Sequence, residues 1–437
     1  MKKIPIRTKS FSRLVEGNYY FVDKTLMIKE FLNRVTDVTL ITRPRRFGKT
    51  INMSMMAEFF DITKDSKEIF KGTKIMETPY AAEINQYPTI FISFADAKRD
   101  KETVVSTIRT QIQNQWDKYD FVFENLKGFK KTNHERLYEV LADNNKNNLK
   151  GIDDAISFLM EIMEDYYGKE VMVFIDEYDT PFVEAHTGGF YDEVRGGPAG
   201  LFHNSLKTST SLKYAMLTGI QRVAKENIFS DLNNLNVVTM TSKEYASAFG
   251  FTEEEVFMAL DNYGISREKE NVKKWYDGFV IGSVKDIYNP WSITNFLKKK
   301  EYQTYWVATS SNGMVSKLIQ TASSEVKTKM EELLQGGGIV ENFDEQIVFN
   351  QLDVNESAIW SLLMASGYLK AVEVEYRGEE MEPWYHLKIT NKETQIMFAR
   401  LFRAWFDVTK QAYHKFIKAM MENDLEIMNY YMNRVTQ

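Results

Sequence analysis

The chain has 437 residues, a length typical of about three domains rather than one small module. Hydrophobic residues make up 43% and charged residues 27%, which excludes an intrinsically disordered chain. The formal net charge of −6 disfavours a general nucleic-acid coat protein, yet residues 1–60 carry 12 basic and 5 acidic side chains. A phosphate ligand is therefore expected first in this basic N-terminal part of an otherwise acidic chain.

The composition also bears on the compartment. The chain contains no cysteine, which excludes disulfides, thiolate nucleophiles and cysteine-based metal sites and fits a reducing compartment. The first 20 residues lack the apolar stretch of a secretory signal, and no run approaches 18 apolar residues. We therefore expect a cytoplasmic protein without a membrane partner.

The first 220 residues alternate strand-like and helix-like stretches. Short β-rich runs lie at Val38–Thr42, Thr89–Phe94, Val171–Ile175 and Tyr214–Thr218, with helical patterns at Ile51–Phe60, Lys101–Gln115 and Asp153–Tyr167. Strands separated by helices predict βαβ units, and hence an α/β fold with a mostly parallel sheet and helices on both faces.

The strand signal fades after residue 235. Thr252–Glu255 forms a capping-box pattern that opens a helix, and Asn289 followed by Pro290 marks a second helix start. A mainly helical lid domain is therefore predicted, and the three glycines at 336–338 mark its flexible end. The predicted domains are residues 1–235, 236–335 and 336–437.

The third domain is predicted to be a small winged-helix-like α+β segment. Its pattern is a helix at Glu356–Ser366, a β-hairpin and a further helix at Lys392–Phe406. Residues 351–400 carry 8 acids and 5 bases, which disfavours a DNA-reading wing and leaves a linker domain as the alternative. Residues 424–435 are amphipathic and end without a cap, so we expect the chain to continue in a longer protein.

The strongest chemical signal follows the first strand. Val38–Thr42 leads through a short turn into a helical run, which is the context of a P-loop, or Walker A motif. Main-chain amides there are expected to bind the β-phosphate of ATP, because the helix dipole favours negative charge. Lys49 is predicted to reach the β- and γ-phosphates, and the Thr50 hydroxyl to coordinate Mg²⁺. The predicted phosphate-binding residues are Arg45, Arg46, Phe47, Gly48, Lys49 and Thr50.

Arg43 departs from the pattern G-x-x-x-x-G-K-[ST], which has glycine at this position. If the position requires a positive φ, arginine costs on the order of 1–2 kcal/mol. Alternatively, Pro44 fixes a turn that needs no glycine. The roles of the Arg45 and Arg46 side chains also stay open, because these side chains either add phosphate contacts or pair with acidic residues of the chain.

A second motif, of the Walker B type, supports the first. Val171–Ile175 is an apolar strand that ends in Asp176 and Glu177, as expected of a buried parallel strand beside the P-loop. Asp176 is predicted to hold Mg²⁺, directly or through water, and to bond Thr50. Glu177 is predicted to orient and polarise the attacking water. The alternative is that both acids cap the following turn.

A further strand is predicted to end at Thr218. The Thr218 hydroxyl is expected there as a polar sensor of the γ-phosphate. Arg222 follows four residues later and is expected to neutralise transition-state charge, in cis or in a neighbouring subunit. A surface salt bridge is the alternative for Arg222.

These stretches resemble the bacterial AAA-ATPase-like family. The resemblance covers about residues 1–330, includes Arg43, and rests on Phe21–Thr25, Thr42–Thr50, Ile175–Pro181, Trp275–Phe279, Tyr288–Ile293 and Ser310–Asn312. It implies an ASCE-type P-loop NTPase core with a helical lid. Members of this family are commonly fused to a C-terminal nuclease of the PD-(D/E)XK class, but residues 331–437 contain no convincing motif of that kind.

We therefore predict a hydrolase that binds ATP with Mg²⁺ and couples closure of its lid to movement of the C-terminal segment. A nucleotide-gated switch or scaffold with negligible turnover is the alternative. A homo-oligomer, a nucleic acid and a nuclease domain in a longer chain are the partners left open.

Overall fold

A five-stranded parallel sheet lies at the centre of the first half of the chain. The structure, a computed structural model, describes residues 2–5, 8–143, 148–220, 234–306, 322–345, 356–400, 419 and 424–427. The strands are β1 (Val38–Thr42), β2 (Thr89–Ser93), β3 (Val171–Asp176), β4 (Leu212–Gly219) and β5 (Leu235–Val238). Their order is β2-β3-β4-β1-β5, with all pairings parallel, which confirms the predicted α/β fold.

Helices cover both faces of this sheet. Along β3, Met172 and Phe174 lie in one apolar core while Val173 and Ile175 lie in the other. Every position of β3 is therefore buried, as is common in parallel sheets. The helices are α1 (Phe11–Glu16), α2 (Leu26–Arg34), α3 (Lys49–Phe60), α4 (Lys67–Phe70), α5 (Lys101–Lys118), α6 (Gly128–Ala142), α7 (Ala155–Tyr167), α8 (Thr180–Gly188), α9 (Tyr191–Val194) and α10 (Gly196–Phe202).

The strand order agrees with the ASCE-type core that the resemblance implies. β4 lies between β1, which leads into the P-loop, and β3, which ends in Asp176. Ile41 of β1 is in register with Thr218 of β4. Strand order depends on the crossover connections, which a local hydrophobic pattern does not encode. The carboxyl ends of β1, β3 and β4 still meet at one edge of the sheet.

Residues 251–299 contain a small antiparallel sheet that the sequence pattern does not predict. Its strands have only two to five residues, too few for a periodic signal. They are β6 (Phe251–Thr252), β7 (Phe279–Ile281) and β8 (Val284–Tyr288), in the order β6-β8-β7, and the helices here are α11 (Glu253–Asn262), α12 (Lys269–Tyr276) and α13 (Pro290–Lys299). Both predicted helix starts are confirmed, because Thr252 forms the capping box with Glu255 and Asn289 caps α13.

The C-terminal segment contains the predicted hairpin between two helices. Its elements are α14 (Ser324–Leu334), β9 (Ile339–Asn342), α15 (Ala358–Ala365), β10 (Leu369–Arg377), β11 (Glu382–Ile389) and helical residues 392–400. β10 and β11 pair antiparallel, and β9 adds a third strand beside β11 that the sequence pattern does not predict. Among all described helices, none is both long enough and apolar enough to cross a membrane.

A chain of aromatic rings connects the P-loop to the C-terminal segment through one apolar core. Ring centroids are 4.8 Å apart for Phe47 and Phe279, and 6.0 Å apart for Phe279 and Trp306. The series continues from Trp306 to Tyr368 at 5.3 Å and from Tyr368 to Phe398 at 5.9 Å. The predicted boundary after residue 235 falls within β5, and the limits of the domains remain predictions.

A buried ion pair joins the N-terminal segment to α11. The Lys24 Nζ atom donates to Glu255 Oε2 at 2.6 Å and to the Ser247 carbonyl at 2.8 Å. The same Glu255 oxygen accepts from the Thr252 amide at 2.8 Å, completing the capping box. Burial lowers the pKa of Lys24 and the negative charge of Glu255 opposes that shift. Lys24, within the Phe21–Thr25 motif, therefore has a structural role.

We expect Glu255→Gln to lower the free energy of unfolding by about 2–3 kcal/mol, because it leaves the Lys24 ammonium buried without its counter-charge. Urea-induced unfolding measures the difference. The matched control is Glu254→Gln in the same helical turn, where the side chain is exposed and the change should stay within about 0.5 kcal/mol. Equal effects of the two substitutions would contradict the structural role of the ion pair.

Candidate functional site

The loop between β1 and α3 has its left-handed residues near its end. Arg46 has a φ of 64° and Gly48 a φ of 85°, whereas Arg43 is not among the residues with positive φ. The position where the pattern expects glycine therefore needs no positive φ, in agreement with a turn that is fixed by Pro44. A Cβ atom at Gly48 would meet no protein atom within 4 Å, so backbone conformation rather than crowding favours glycine there.

The Arg43 side chain is fully buried and forms part of the loop's support. Its guanidinium group donates to the carbonyl oxygens of Thr42 at 2.9 Å, Thr239 at 2.7 Å and Glu244 at 3.2 Å. Burial lowers the pKa of Arg43 to about 10, and the negative charge of Glu345 opposes the shift, so the group stays charged at neutral pH. The arginine holds the start of the loop against residues 239–244.

Lys49, the first residue of α3, is buried inside the loop. Its Nζ atom donates to the carbonyl oxygens of Arg43 and Pro44, each at 2.9 Å. Burial lowers the pKa of Lys49, while the charges of Glu177, Asp179 and Asp176 raise it. The structure thus places one ammonium group against two main-chain carbonyls and within electrostatic range of three carboxylates.

Asp176 lies buried at the carboxyl end of β3, beside the loop. It accepts hydrogen bonds from Thr218 Oγ1 at 2.9 Å and Ser93 Oγ at 3.1 Å, and the Thr50 side chain lies close enough to affect its pKa. Burial and the neighbouring Glu177 raise the pKa of Asp176, whereas Thr50, Thr218 and Lys49 act against that rise. The structure therefore brings together Thr50, Asp176 and Thr218, whose hydroxyl and carboxylate oxygens are ligands that suit a hard divalent cation.

Glu177 lies at the boundary between this cluster and solvent, with its side chain 28% exposed. Its φ is 50°, which turns the chain sharply after β3. Its Oε2 atom accepts from the Thr180 hydroxyl at 3.2 Å and lies 3.8 Å from the Lys98 ammonium. A carboxylate in this position is accessible to water and lies close to Lys49.

Two members of the site are not among the residues predicted from the sequence. Asp179 is buried, accepts from the Ile220 amide at 2.8 Å and adds negative charge near Lys49. Gly219 permits that approach, because a Cβ atom there would lie 2.8 Å from Asp179 Oδ1. Ser93, at the end of β2, holds the second oxygen of Asp176. The sequence signal for Asp179 is its spacing of three residues from Asp176 across a turn.

The other predicted residues of the loop contact the second half of the chain. The carbonyl oxygen of Arg45 accepts from Asn289 Nδ2 at 3.2 Å, and the Arg46 guanidinium lies 4.4 Å from the centroid of Trp291. The Phe47 side chain is buried against Phe279, so only its main chain can take part in phosphate binding. Arg222 lies outside the described residues.

The arrangement of sheet and site defines a class. A Gly-Lys-Thr loop follows β1, an acidic pair lies at the end of β3, and one strand separates β1 from β3. This arrangement is an ASCE-type P-loop NTPase core. A family model described as "Predicted AAA-ATPase" matches residues 5–229, slightly more than half of the chain. The chain therefore belongs to the AAA-ATPase-like family, and the predicted membership is confirmed.

Individual relatives are more distant. An "Uncharacterized protein in vnfD 5'region" from Azotobacter chroococcum mcd 1 is 24% identical over 397 residues, which cover 90% of this chain and 68% of that protein. A STAND protein with a tetratricopeptide repeat sensor from Pyrococcus horikoshii is 13% identical with a TM-score of 0.31, covering 96% of this chain. PCH-2 of C. elegans is 11% identical with a TM-score of 0.24, covering 82% of this chain. This chain spans 48% and 66% of those two structures, respectively.

We expect Asp176→Asn to raise the free energy of unfolding of the ligand-free protein by about 1 kcal/mol at pH 7. The pKa of Asp176 is raised in the folded state, so its ionised form costs stability above that pKa, and the cost disappears as the pH falls toward the ordinary value. Urea unfolding at pH 7 and at about pH 4 measures this dependence.

The matched control for that measurement is Asp96→Asn, since the Asp96 side chain is 82% exposed near the end of the neighbouring strand β2. This control should leave stability unchanged within about 0.5 kcal/mol at both pH values. A gain for Asp176→Asn that persists undiminished at the lower pH would contradict the assigned cause.

Proposed function

We propose that the protein binds ATP together with Mg²⁺ at the loop of residues 45–50 and hydrolyses it to ADP and phosphate. One observation carries this proposal: the buried Lys49 ammonium lies at a helix N-terminus, within electrostatic range of three carboxylates at and just after the end of β3. A cation that is buried beside main-chain amides suits a polyphosphate, because both favour negative charge. Membership of a P-loop ATPase family supports the same chemistry.

The loop residues act chiefly by positioning and charge neutralisation. Lys49 exchanges its bonds to the Arg43 and Pro44 carbonyls for bonds to phosphate oxygens when the nucleotide enters. The oxygens of Thr50 and Asp176 would hold Mg²⁺, which would neutralise phosphate charge there. The hydroxyl of Thr218 is directed to Asp176 in this structure, so it orients that carboxylate. Its role as a γ-phosphate sensor, like the role of Arg222, stays a prediction.

Glu177 is the residue that we assign to the attacking water. It lies at the solvent boundary, and its negative charge contributes to the environment of Lys49. A carboxylate here accepts the hydrogen bond of a water molecule and takes a proton from it as the water oxygen bonds to the γ-phosphorus and the bond from that phosphorus to the bridging oxygen breaks, releasing ADP. In this structure Lys98 and Thr180 both contact the Oε2 atom of Glu177, so we expect the water molecule at Oε1.

The contacts between the loop and α13 are the observation that favours a second candidate function, a nucleotide-gated switch with negligible turnover. In a switch, ATP binding alone changes the contacts between the loop and α13. The Asn289 bond to the Arg45 carbonyl and the Trp291 contact with Arg46 are the ones that a closing lid would alter. A homo-oligomer, a nucleic acid or a nuclease domain in a longer protein would then receive the signal.

We expect Lys49→Ala to abolish ATP binding and hydrolysis, and Glu177→Gln to retain ATP binding while hydrolysis falls about 100-fold or more. Multiple-turnover phosphate release measures hydrolysis, and isothermal titration calorimetry measures binding. The matched controls are Lys71→Ala and Glu68→Gln, which disrupt an exposed ion pair far in sequence from the loop and should leave both measurements unchanged.

The two functions give different results in that experiment. Phosphate release that is lost in both site variants supports the ATPase. Saturable ATP binding by the unsubstituted protein without multiple turnovers supports the switch. An affinity for ATP that survives Lys49→Ala would exclude both, because neither explains nucleotide binding without the buried ammonium group.

We expect Thr50→Val to reduce the affinity for ATP in Mg²⁺ about 10-fold or more, to the level seen in the presence of EDTA. The substitution keeps the shape of the side chain but removes the hydroxyl, which acts to lower the pKa of Asp176. Calorimetric titration with and without Mg²⁺ measures the effect. In the control Thr187→Val, an exposed threonine of α8 loses its hydroxyl, and the Mg²⁺ dependence should persist.

A further inference from the structure

The proposed function does not use the Arg43 side chain, which is one of the largest fully buried side chains of the protein. The side chain reaches the turn formed by residues 239–242, which follows β5. This turn is closed by hydrogen bonds between Thr239 and Ser242, from the Thr239 amide to Ser242 Oγ at 2.9 Å and from the Ser242 amide to the Thr239 carbonyl at 3.3 Å.

Glu345 of the C-terminal segment holds the other side of the same turn. Its carboxylate accepts from the Thr241 amide at 3.2 Å and from Thr241 Oγ1 at 2.5 Å. Glu345 follows β9, and its main-chain carbonyl is 3.4 Å from Ser361 Oγ of α15. The turn therefore lies between Arg43 and an acid that is fixed within the C-terminal segment.

The charges of Arg43 and Glu345 make the two residues depend on each other. A fully buried guanidinium group needs a nearby negative charge, because removing a charge from water is costly. Three acids face Arg43, and Glu345 makes the largest electrostatic contribution. The other two, Glu30 and Glu244, already contact the Arg34 side chain at 2.7 and 3.6 Å. Among the acids, Glu345 of the C-terminal segment thus contributes most to the compensation of the Arg43 charge.

The main chain of Arg43 faces the nucleotide site. Its carbonyl oxygen accepts from Lys49 Nζ at 2.9 Å, and its amide donates to the Gly219 carbonyl at 3.1 Å, at the end of β4. When Lys49 turns to a phosphate group, the Arg43 carbonyl loses this partner. One residue therefore contacts the phosphate-binding lysine through its main chain and the 239–242 turn through its side chain.

We propose that Arg43 is a positioning residue that couples occupancy of the phosphate loop to the C-terminal segment at Glu345, through the 239–242 turn. The coupling rests on the proposed nucleotide binding and adds a regulatory route to it. The coupling is reciprocal. ATP stabilises the contact between Glu345 and the 239–242 turn by a certain factor, and a rearrangement that withdraws Glu345 lowers the affinity of the loop for ATP by the same factor.

Hydrogen–deuterium exchange of the full chain, with and without Mg·ATP, tests this coupling. In the unsubstituted protein, we expect Mg·ATP to slow amide exchange at residues 45–50, and also about 5-fold at 239–242 and 339–345. In Arg43→Lys, the charge remains but the guanidinium contacts to the Thr239 and Glu244 carbonyls are lost, so protection should remain at 45–50 and disappear at 239–242 and 339–345.

Glu345→Gln provides a second variant that keeps the shape of the side chain, so the test does not depend on the folding of Arg43→Lys. It should remove the same distant protection and weaken ATP binding about 5-fold. The matched control is Glu375→Gln, an exposed acid of β10 paired with Arg377, which should behave like the unsubstituted protein.

The outcomes separate this inference from the proposed function. Protection at 45–50 in the unsubstituted protein without protection at 239–242 and 339–345 overturns the coupling and leaves nucleotide binding intact. Absence of protection at 45–50 overturns nucleotide binding itself. Equal distant protection in the unsubstituted protein and in either Arg43→Lys or Glu345→Gln shows that the signal does not pass through these residues.

Discussion

The burial of the Lys49 ammonium is the interaction on which the site depends. A buried cation is tolerated only where oppositely charged or strongly polar groups surround it. Here two carbonyl oxygens of the loop hold it directly, and Asp176, Glu177 and Asp179 supply the negative charge. These groups come from the ends of β1 and β3, so the parallel sheet is what gathers them. The site is poised for a ligand that carries charge of its own.

Much of this site could be predicted from the sequence because its parts have local signatures. An apolar strand before Gly48-Lys49-Thr50 and another before Asp176 and Glu177 indicate the motif and its chemistry without knowledge of the fold. The capping box at Thr252 is local in the same sense. The structure contains these elements at the positions that the pattern predicts.

The remainder depends on contacts between distant parts of the chain. The bond from Arg43 to the Thr239 carbonyl spans 196 positions, and the bond from Lys24 to Glu255 spans 231. No periodicity of hydrophobic residues encodes such pairs, and the same holds for the position of β4 between β1 and β3. For the same reason, the sequence left two interpretations of Arg43 open, and the loop conformation favours the one in which Pro44 fixes the turn.

The aromatic series from Phe47 to Phe398 has a practical consequence for dissecting this protein. Trp306 stacks on Tyr368, and both are nearly inaccessible to solvent. A fragment that ended near residue 335 would expose the indole of Trp306 and one edge of Phe279 to water, and such newly uncovered apolar surface promotes self-association. Loss of activity in a shortened protein would then report damaged packing beneath the loop, so point substitutions are the sounder way to assign roles to the C-terminal residues.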